Sequence, residues 1–158
     1  GDMDSAIKEL DKLKSLVNSP DADKYRVGAT PASSVLQLAY FGLEGEVLMA
    51  KGDLTGAIEA FSSGVAIEDQ NNYTEPPDWA QPMRHYLGAA LLKDNQPSKA
   101  EAVYRRDLKW NQNNGWSLFG LHQSLIAQNK QKDAEEVYKS WKKAWASADV
   151  KLTGSYVK

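Results

Sequence analysis

The chain contains no cysteine, which excludes disulfides, thiol catalysis and cysteine-ligated zinc while leaving the compartment open. No apolar run approaches the roughly 20 residues that a membrane-spanning helix needs, so no membrane span is expected. Neither a glycine-rich phosphate loop nor a nucleophile elbow is present, and no serine, histidine and acid carry a local catalytic signature. Histidine is scarce: His85 and His122 stand 37 residues apart, without the further ligands a metal site requires, so neither a metal nor any other cofactor is expected. The opening residues, Gly1-Asp2-Met3-Asp4, lack the charged and then apolar pattern of a signal segment. Because Gly1 is not an initiator residue, the chain is expected to be a piece of a longer protein, cytoplasmic or periplasmic.

What is present is ordinary in bulk and uneven in distribution. Of 158 residues, 42% are apolar and 25% charged, the balance of a globular protein with one core. The net charge of −2 conceals two unlike halves: residues 1–83 carry 6 basic and 14 acidic side chains, residues 84–158 carry 13 and 7. Such asymmetry predicts ordinary surface solubility or the electrostatic orientation of a partner.

The strongest pattern is an internal echo at 34 residues. Leu87-Gly88-Ala89-Ala90-Leu91 through Ala100-Glu101-Ala102-Val103-Tyr104 returns as Leu121-His122-Gln123-Ser124-Leu125 through Ala134-Glu135-Glu136-Val137-Tyr138. A weaker copy runs upstream through Gly45, Leu48, Gly52-Asp53, Ala57 and Phe61, displaced by 43 residues because of an insert. Small residues at Gly45, Gly88, Ala57, Ala100 and Ala134 let two antiparallel helices approach. A large residue four positions after each alanine, Phe61, Tyr104 or Tyr138, falls on the same face and fills the gap. Polar turns at Lys51-Gly52-Asp53, Asp94-Asn95-Gln96 and Asn129-Lys130-Gln131 separate the helices of each copy.

These small, large and turn positions resemble the tetratricopeptide repeat (TPR) family, over residues 84–145 most closely and over 35–68 as well. Three departures stand out: His122 replaces a small residue, Arg84 occupies a position often aromatic, and no proline closes any copy. The stretches Tyr73-Thr74-Glu75-Pro76-Pro77-Asp78-Trp79, Asn114-Gly115-Trp116-Ser117-Leu118 and Ala144-Trp145-Ala146-Ser147-Ala148-Asp149 look like the C-terminal region of large bacterial TPR proteins. The resemblance implies an all-α fold, an α-α superhelix or TPR-like solenoid of about three helical pairs plus an N-terminal helix. In such a solenoid the charge asymmetry would give an acidic end and a basic end.

One domain is therefore expected over 1–158: an N-terminal helix at 4–18, a linker at 19–32, repeat 1 at 33–68, a proline-rich insert at 69–78, repeat 2 at 79–112, repeat 3 at 113–148 and a tail at 149–158. Within it Ser33 or Ser34 caps a helix ending near Lys51, and further helices cover about 54–68, 78–93, 97–110, 116–129 and 132–148. Pro76-Pro77 makes the insert stiff and extended, with Tyr73 and Trp79 docking beside it. Glu75 and Asp78 cap a helix starting near Trp79. Glu9, Glu59, Glu101, Glu135 and Glu136 form solvated helix faces, and Phe61, Tyr104, Tyr138, Trp141 and Trp145 belong to the core.

For function, the resemblance implies a concave partner-binding groove. Mapping the repeat offsets places Glu46 and Met49 there from the first pair, His85 and Lys93 from the second, and Trp116, Phe119 and Gln123 from the third. Aromatic anchors at one end and a carboxylate at the other suit a segment of a protein or peptide partner, or another part of the full-length chain. Alternatively, the tail or an upstream segment fills the groove. The lysine and asparagine clamp by which some TPR domains hold a C-terminal carboxylate is absent, since its offsets carry Gly42, Glu46, Tyr86, Trp116 and Gly120. Acidic residues interleave with the lysines of the last helix, so nucleic acid is not an expected partner. The expected function is a scaffold or protein-interaction module without catalysis, monomeric or weakly homodimeric. An accessory domain of a multidomain enzyme and a purely structural end cap are the alternatives.

Overall fold

A computed structural model describes residues 2–72 and 74–156. The described residues form seven α-helices and one two-stranded antiparallel sheet, an all-α architecture in two compact units, one ending at Met83 and the other beginning at Arg84. None of these helices is long and apolar enough to cross a membrane.

The first unit contains α1 (Met3–Val17), α2 (Ala32–Lys51) and α3 (Leu54–Glu68). Asp2 caps α1 by accepting from the Ser5 amide, and α1 packs on α2. The stretch read as a linker holds a single 3-10 turn, Ala22–Lys24, and a short hairpin that pairs Arg26-Val27 with Thr30-Pro31. Neither Ser33 nor Ser34 caps α2. The cap position belongs to Pro31, and the Ala32 amide donates to the Tyr25 carbonyl at 3.0 Å, so the hairpin supplies the partner a serine would have given. Asp53 caps α3 as its sequence position suggests, its carboxylate accepting from Gly56 N at 2.9 Å.

The second unit is built on α4 (Met83–Lys93), whose first residue closes the first unit, α5 (Pro97–Trp110), α6 (Gly115–Ala127) and α7 (Gln131–Ala144). Asn114 caps α6 by accepting from the amides of Trp116 and Ser117. Gly52, Asn95 and Asn129 end the first helix of successive pairs with φ of 85°, 55° and 59°. The left-handed conformation that stops each helix thus recurs at the repeat spacing, in glycine once and in asparagine twice.

Large residues seat against small ones at the same offset. A Cβ on Gly45 would fall under 3.0 Å from the Phe61 ring, and one on Gly88 or Gly120 equally close to the Tyr104 ring. Phe61, Tyr104, Ala57, Ala100 and Ala134 are accordingly buried. The third copy breaks the rule. His122 stands where Gly45 and Gly88 would be, its ring lies 5.2 Å from that of Tyr138, and Tyr138 is left 41% exposed. The imidazole occupies the space the tyrosine would have entered, so Tyr138 is not a core residue.

Two further expectations fail around the insert. α4 starts at Met83, after Pro82, and the Met83 amide donates to Glu68 Oε2 at 3.0 Å. No helix begins near Trp79, which is half-buried, so Glu75 and Asp78 do not stand at the start of one. Asp78 instead turns back to the hairpin, where its Oδ2 accepts from the Ala29 amide, the Thr30 amide and the Thr30 hydroxyl at 3.1, 3.1 and 2.8 Å. The docking expected of Tyr73 lies outside the described residues.

Candidate functional site

The residues mapped to a groove fall in both units and are taken unit by unit. On α2, Met49 is buried at 7% exposure. Glu46, four residues from Ala50 and one turn before it, is half-buried, and desolvation pushes its carboxyl above the ordinary value. Met49 therefore offers packing to the first unit and no free surface, while Glu46 keeps a partly accessible carboxylate.

In the second unit the expected residues separate into three environments. Lys93 is exposed at the end of α4. His85, placed in the groove by offset, is 1% exposed and belongs to the core. Trp116, Phe119 and Gln123 are half-buried along α6. Residues 116, 119 and 122 recur at three-residue spacing on one face of α6, and each meets an aromatic ring of the α7 segment. Trp116 lies edge to face with Trp145 at 5.3 Å, Phe119 is tilted against Trp141 at 5.5 Å, and His122 against Tyr138 at 5.2 Å. The result is a three-rung ladder joining α6 to α7. Its rings are partly buried by one another and partly exposed, so Trp116 and Phe119 contribute to packing as well as to surface. Lys142 adds its ammonium 5.7 Å from the Tyr138 ring centroid.

His85 lies beside a buried polar network that its repeat position did not announce. Asp107 Oδ2 accepts from the Ser117 hydroxyl at 2.5 Å and Oδ1 from the Asn111 amide at 2.9 Å. The His85 Nε2 stands 3.5 Å from Asp107 Oδ2, and neither ring nitrogen has a hydrogen-bond partner among the described residues. Burial pushes the Asp107 carboxyl up, but the imidazole edge and the donors from Ser117 and Asn111 outweigh it and hold the pKa below the ordinary value. Ser117, Asp107 and His85 are the residue types of a nucleophilic triad in the wrong order. The carboxylate sits between serine and histidine, so the serine hydroxyl donates to Asp107 and not to an imidazole. With exposures of 0%, 1% and 1%, the three tie α4, α5 and α6 together. The signal for Asp107 was legible: Ala100, Tyr104 and Asp107 follow at spacings of four and three, which puts a carboxylate on the buried stripe of α5.

Glu101 departs from the solvated face expected of it. Its side chain is only 13% exposed and accepts from Arg105 Nε at 2.8 Å, Lys130 Nζ at 2.6 Å and Gln128 Nε2 at 2.8 Å. Partial burial pushes this carboxyl up, but the three donors outweigh it and bring the pKa down to about 2. Glu9, Glu59, Glu135 and Glu136 are exposed.

The tail lies on the second unit. Leu152 and Ser155 are buried at 8% and 1% exposure. The Ser155 hydroxyl donates to the His85 carbonyl at 2.8 Å and pairs with the Tyr104 hydroxyl at 2.6 Å. Trp145 Nε1 donates to the Val150 carbonyl at 2.8 Å, and Tyr156 packs on Tyr86 with ring centroids 5.2 Å apart. Among the described residues no group of three histidine, aspartate or glutamate side chains is gathered for a metal ion. Comparison of the chain with family models, with curated proteins and with solved structures returned no match.

Proposed function

We propose that this chain is a protein-interaction or assembly module of tetratricopeptide type, its helical pairs the repeats of an α-α superhelix. It holds a segment of a partner protein, or another part of a longer chain, by shape, apolar contact and charge, without bond chemistry.

The observation that carries this reading is the α6/α7 ladder. Trp116 and Phe119 place large rings at helical spacing, supported from below by Trp145 and Trp141 and left half open on the other side. Rigid aromatic side chains held in this way lose little entropy on binding and supply apolar anchors of the kind that dominate interfaces. Gln123, half-buried one turn beyond Phe119, adds an amide that donates and accepts beside them. The excess of basic over acidic side chains in residues 84–158 favours a partner segment of acidic character and accelerates its approach.

A structural end cap is the second reading, favoured by one observation. α7 leaves Lys132, Glu135, Glu136, Lys139 and Lys143 exposed, the polar outer face that a terminal pair needs.

Photocrosslinking separates the two. With a benzophenone amino acid at Gln123, irradiation of cells that make the protein yields a discrete adduct with one protein segment, whereas the same group at the exposed Glu59 yields none. Identical labelling patterns from the two positions would contradict the interaction reading.

A further inference from the structure

α5 turns both of its carboxylates inward and its cations outward. Asp107 is buried in the network with Ser117, and Glu101, at 13% exposure, is held by Arg105, Lys130 and Gln128. Lys99, Arg105, Arg106 and Lys109 are exposed. At 3.6 residues per turn these four fall, with Ala102 and Trp110, on one side of the helix. Trp110 is 67% exposed, more than any other large apolar side chain among the described residues, and the Arg106 guanidinium lies 5.5 Å from its ring centroid. The chain then runs from 108 to 132 without an acidic residue.

This arrangement works against the stability of the free protein. Lys109 has cations three and four positions before it, at Arg106 and Arg105, and like charges at those spacings on a helix repel. An indole left in water forfeits the burial that would have stabilised it. A negatively charged surface that also accepts an indole relieves both costs. A single nucleic-acid strand suits the face less well, because such strands lie in grooves lined by a ring for each of several bases. The outward face of a helix is a ridge, and this one carries one indole. A lipid surface needs no groove. Its anionic headgroups attract lysine and arginine over the roughly 16 Å of helix from Lys99 to Trp110, and an indole settles at headgroup level with its ring in the apolar region and its N–H wet.

We propose that the outward face of α5 docks the protein on an anionic lipid surface, with Lys99, Arg105, Arg106 and Lys109 meeting headgroup phosphates and Trp110 entering the interface. The site is distinct from the aromatic row on α6 and goes beyond the capture of a protein segment. The charge asymmetry of the chain supplies an orientation. The first unit carries 14 acidic side chains against 6 basic and is repelled by such a surface, while the second carries 7 against 13 and is drawn to it.

Co-sedimentation of the full chain with vesicles tests the proposal. The vesicles are phosphatidylcholine alone or phosphatidylcholine with about one third phosphatidylglycerol, in about 0.1 M salt. The expected result is at least tenfold stronger partitioning onto the anionic vesicles, weakened at least fivefold by Arg106→Glu and by Trp110→Ser. Ala102→Glu, which places a carboxylate in the middle of the face, should weaken it by as much. Lys139→Glu makes the same charge change as Arg106→Glu, but on α7 beside Glu135 and Glu136, and should weaken binding less than twofold. All four positions are exposed, and each variant should keep its helical circular dichroism. Equal partitioning onto both kinds of vesicle overturns the proposal, as does a loss from Lys139→Glu as large as that from Arg106→Glu, which would mean attraction by net charge alone. Tighter binding of a labelled oligothymidylate than of the anionic vesicles, lost in Trp110→Ser, also overturns it and assigns the face to nucleic acid. Phe119→Ala should bind the vesicles as the unaltered chain does, so the loss of a partner from α6 and the loss of lipid from α5 are read separately.

Discussion

Trp116 and Trp145 meet edge to face with their ring centroids 5.3 Å apart, the first on α6 and the second just past the end of α7. A Cβ on Gly115 would fall under 3.0 Å from the Trp145 ring, so the glycine that opens α6 is what lets the two indoles approach. The pair fixes how α6 and α7 close at the end nearest the tail. Replacing Trp116 by alanine should cost about 2 kcal/mol, the sum of half an indole's burial and an aromatic pair. Urea midpoints for Trp116→Ala, Trp145→Ala and the double variant measure it. The expected coupling is about 0.5 to 1.5 kcal/mol.

Ala100 and Ala134, 0% and 1% exposed, mark the closest approach of their helices. Leucine at either position should overpack the contact at a cost of about 1 to 3 kcal/mol. Glu101→Leu would not be a neutral control, because Lys130, Arg105 and Gln128 would lose a shared acceptor. The exposed neighbour Ala102 is the appropriate control, and Ala102→Leu should shift the urea midpoint by the equivalent of less than about 0.5 kcal/mol.

The Glu101 carboxyl titrates at about 2 in the folded chain against an ordinary 4.5. A depressed folded pKa means that the stability it contributes is fully present above 4.5 and is lost as the pH falls toward 2. Lys130 and Arg105 are 42% and 48% exposed, so solvent screens part of the interaction. Between pH 6 and pH 2.5 the unaltered chain should lose about 1 to 2 kcal/mol more than Glu101→Gln, and the difference should shrink in high salt. Thermal melts across that range, with and without added salt, provide the check.

Much of the fold was legible because its signals are local. α3 and α5 occupy the spans expected from Gly52-Asp53 and from Pro97 in the first helical turn. The recurrence of Gly52, Asn95 and Asn129 at helix ends follows from the same repeat. What could not be read depends on partners distant in sequence. Asp78 is 48 residues from Thr30, and nothing near it announces that its carboxylate serves a hairpin. His85 was assigned by repeat offset, which encodes how helices pack but says nothing of Asp107, 22 residues on, beside which it is buried. The tail has no periodicity, and Leu152, Ser155 and Tyr156, which dock on the second unit, carry no local signal. Of the candidate site, the α6 positions Trp116 and Phe119 were legible as an aromatic pair. Their support by Trp145 and Trp141 was not, because the repeat offsets place those two residues in the core and name no partner for them.

Asp78 links the insert to the hairpin through three hydrogen bonds, and Thr30 is only 3% exposed. Asp78→Ala should therefore cost about 1 to 3 kcal/mol, since the Thr30 amide and hydroxyl would be left without an acceptor. Hydrogen exchange at Ala29 and Thr30 should accelerate while the middle of α2 keeps its protection. Unchanged exchange would show that the hairpin does not depend on this carboxylate.

The central claim is that the half-open aromatic row on α6 captures a protein segment. It is tested most directly by the affinity of the partner crosslinked at Gln123 for the unaltered chain and for Phe119→Ala, both with intact helical circular dichroism. The account predicts at least tenfold weaker binding by Phe119→Ala, through faster release. Undiminished affinity would contradict it and leave the row as packing alone.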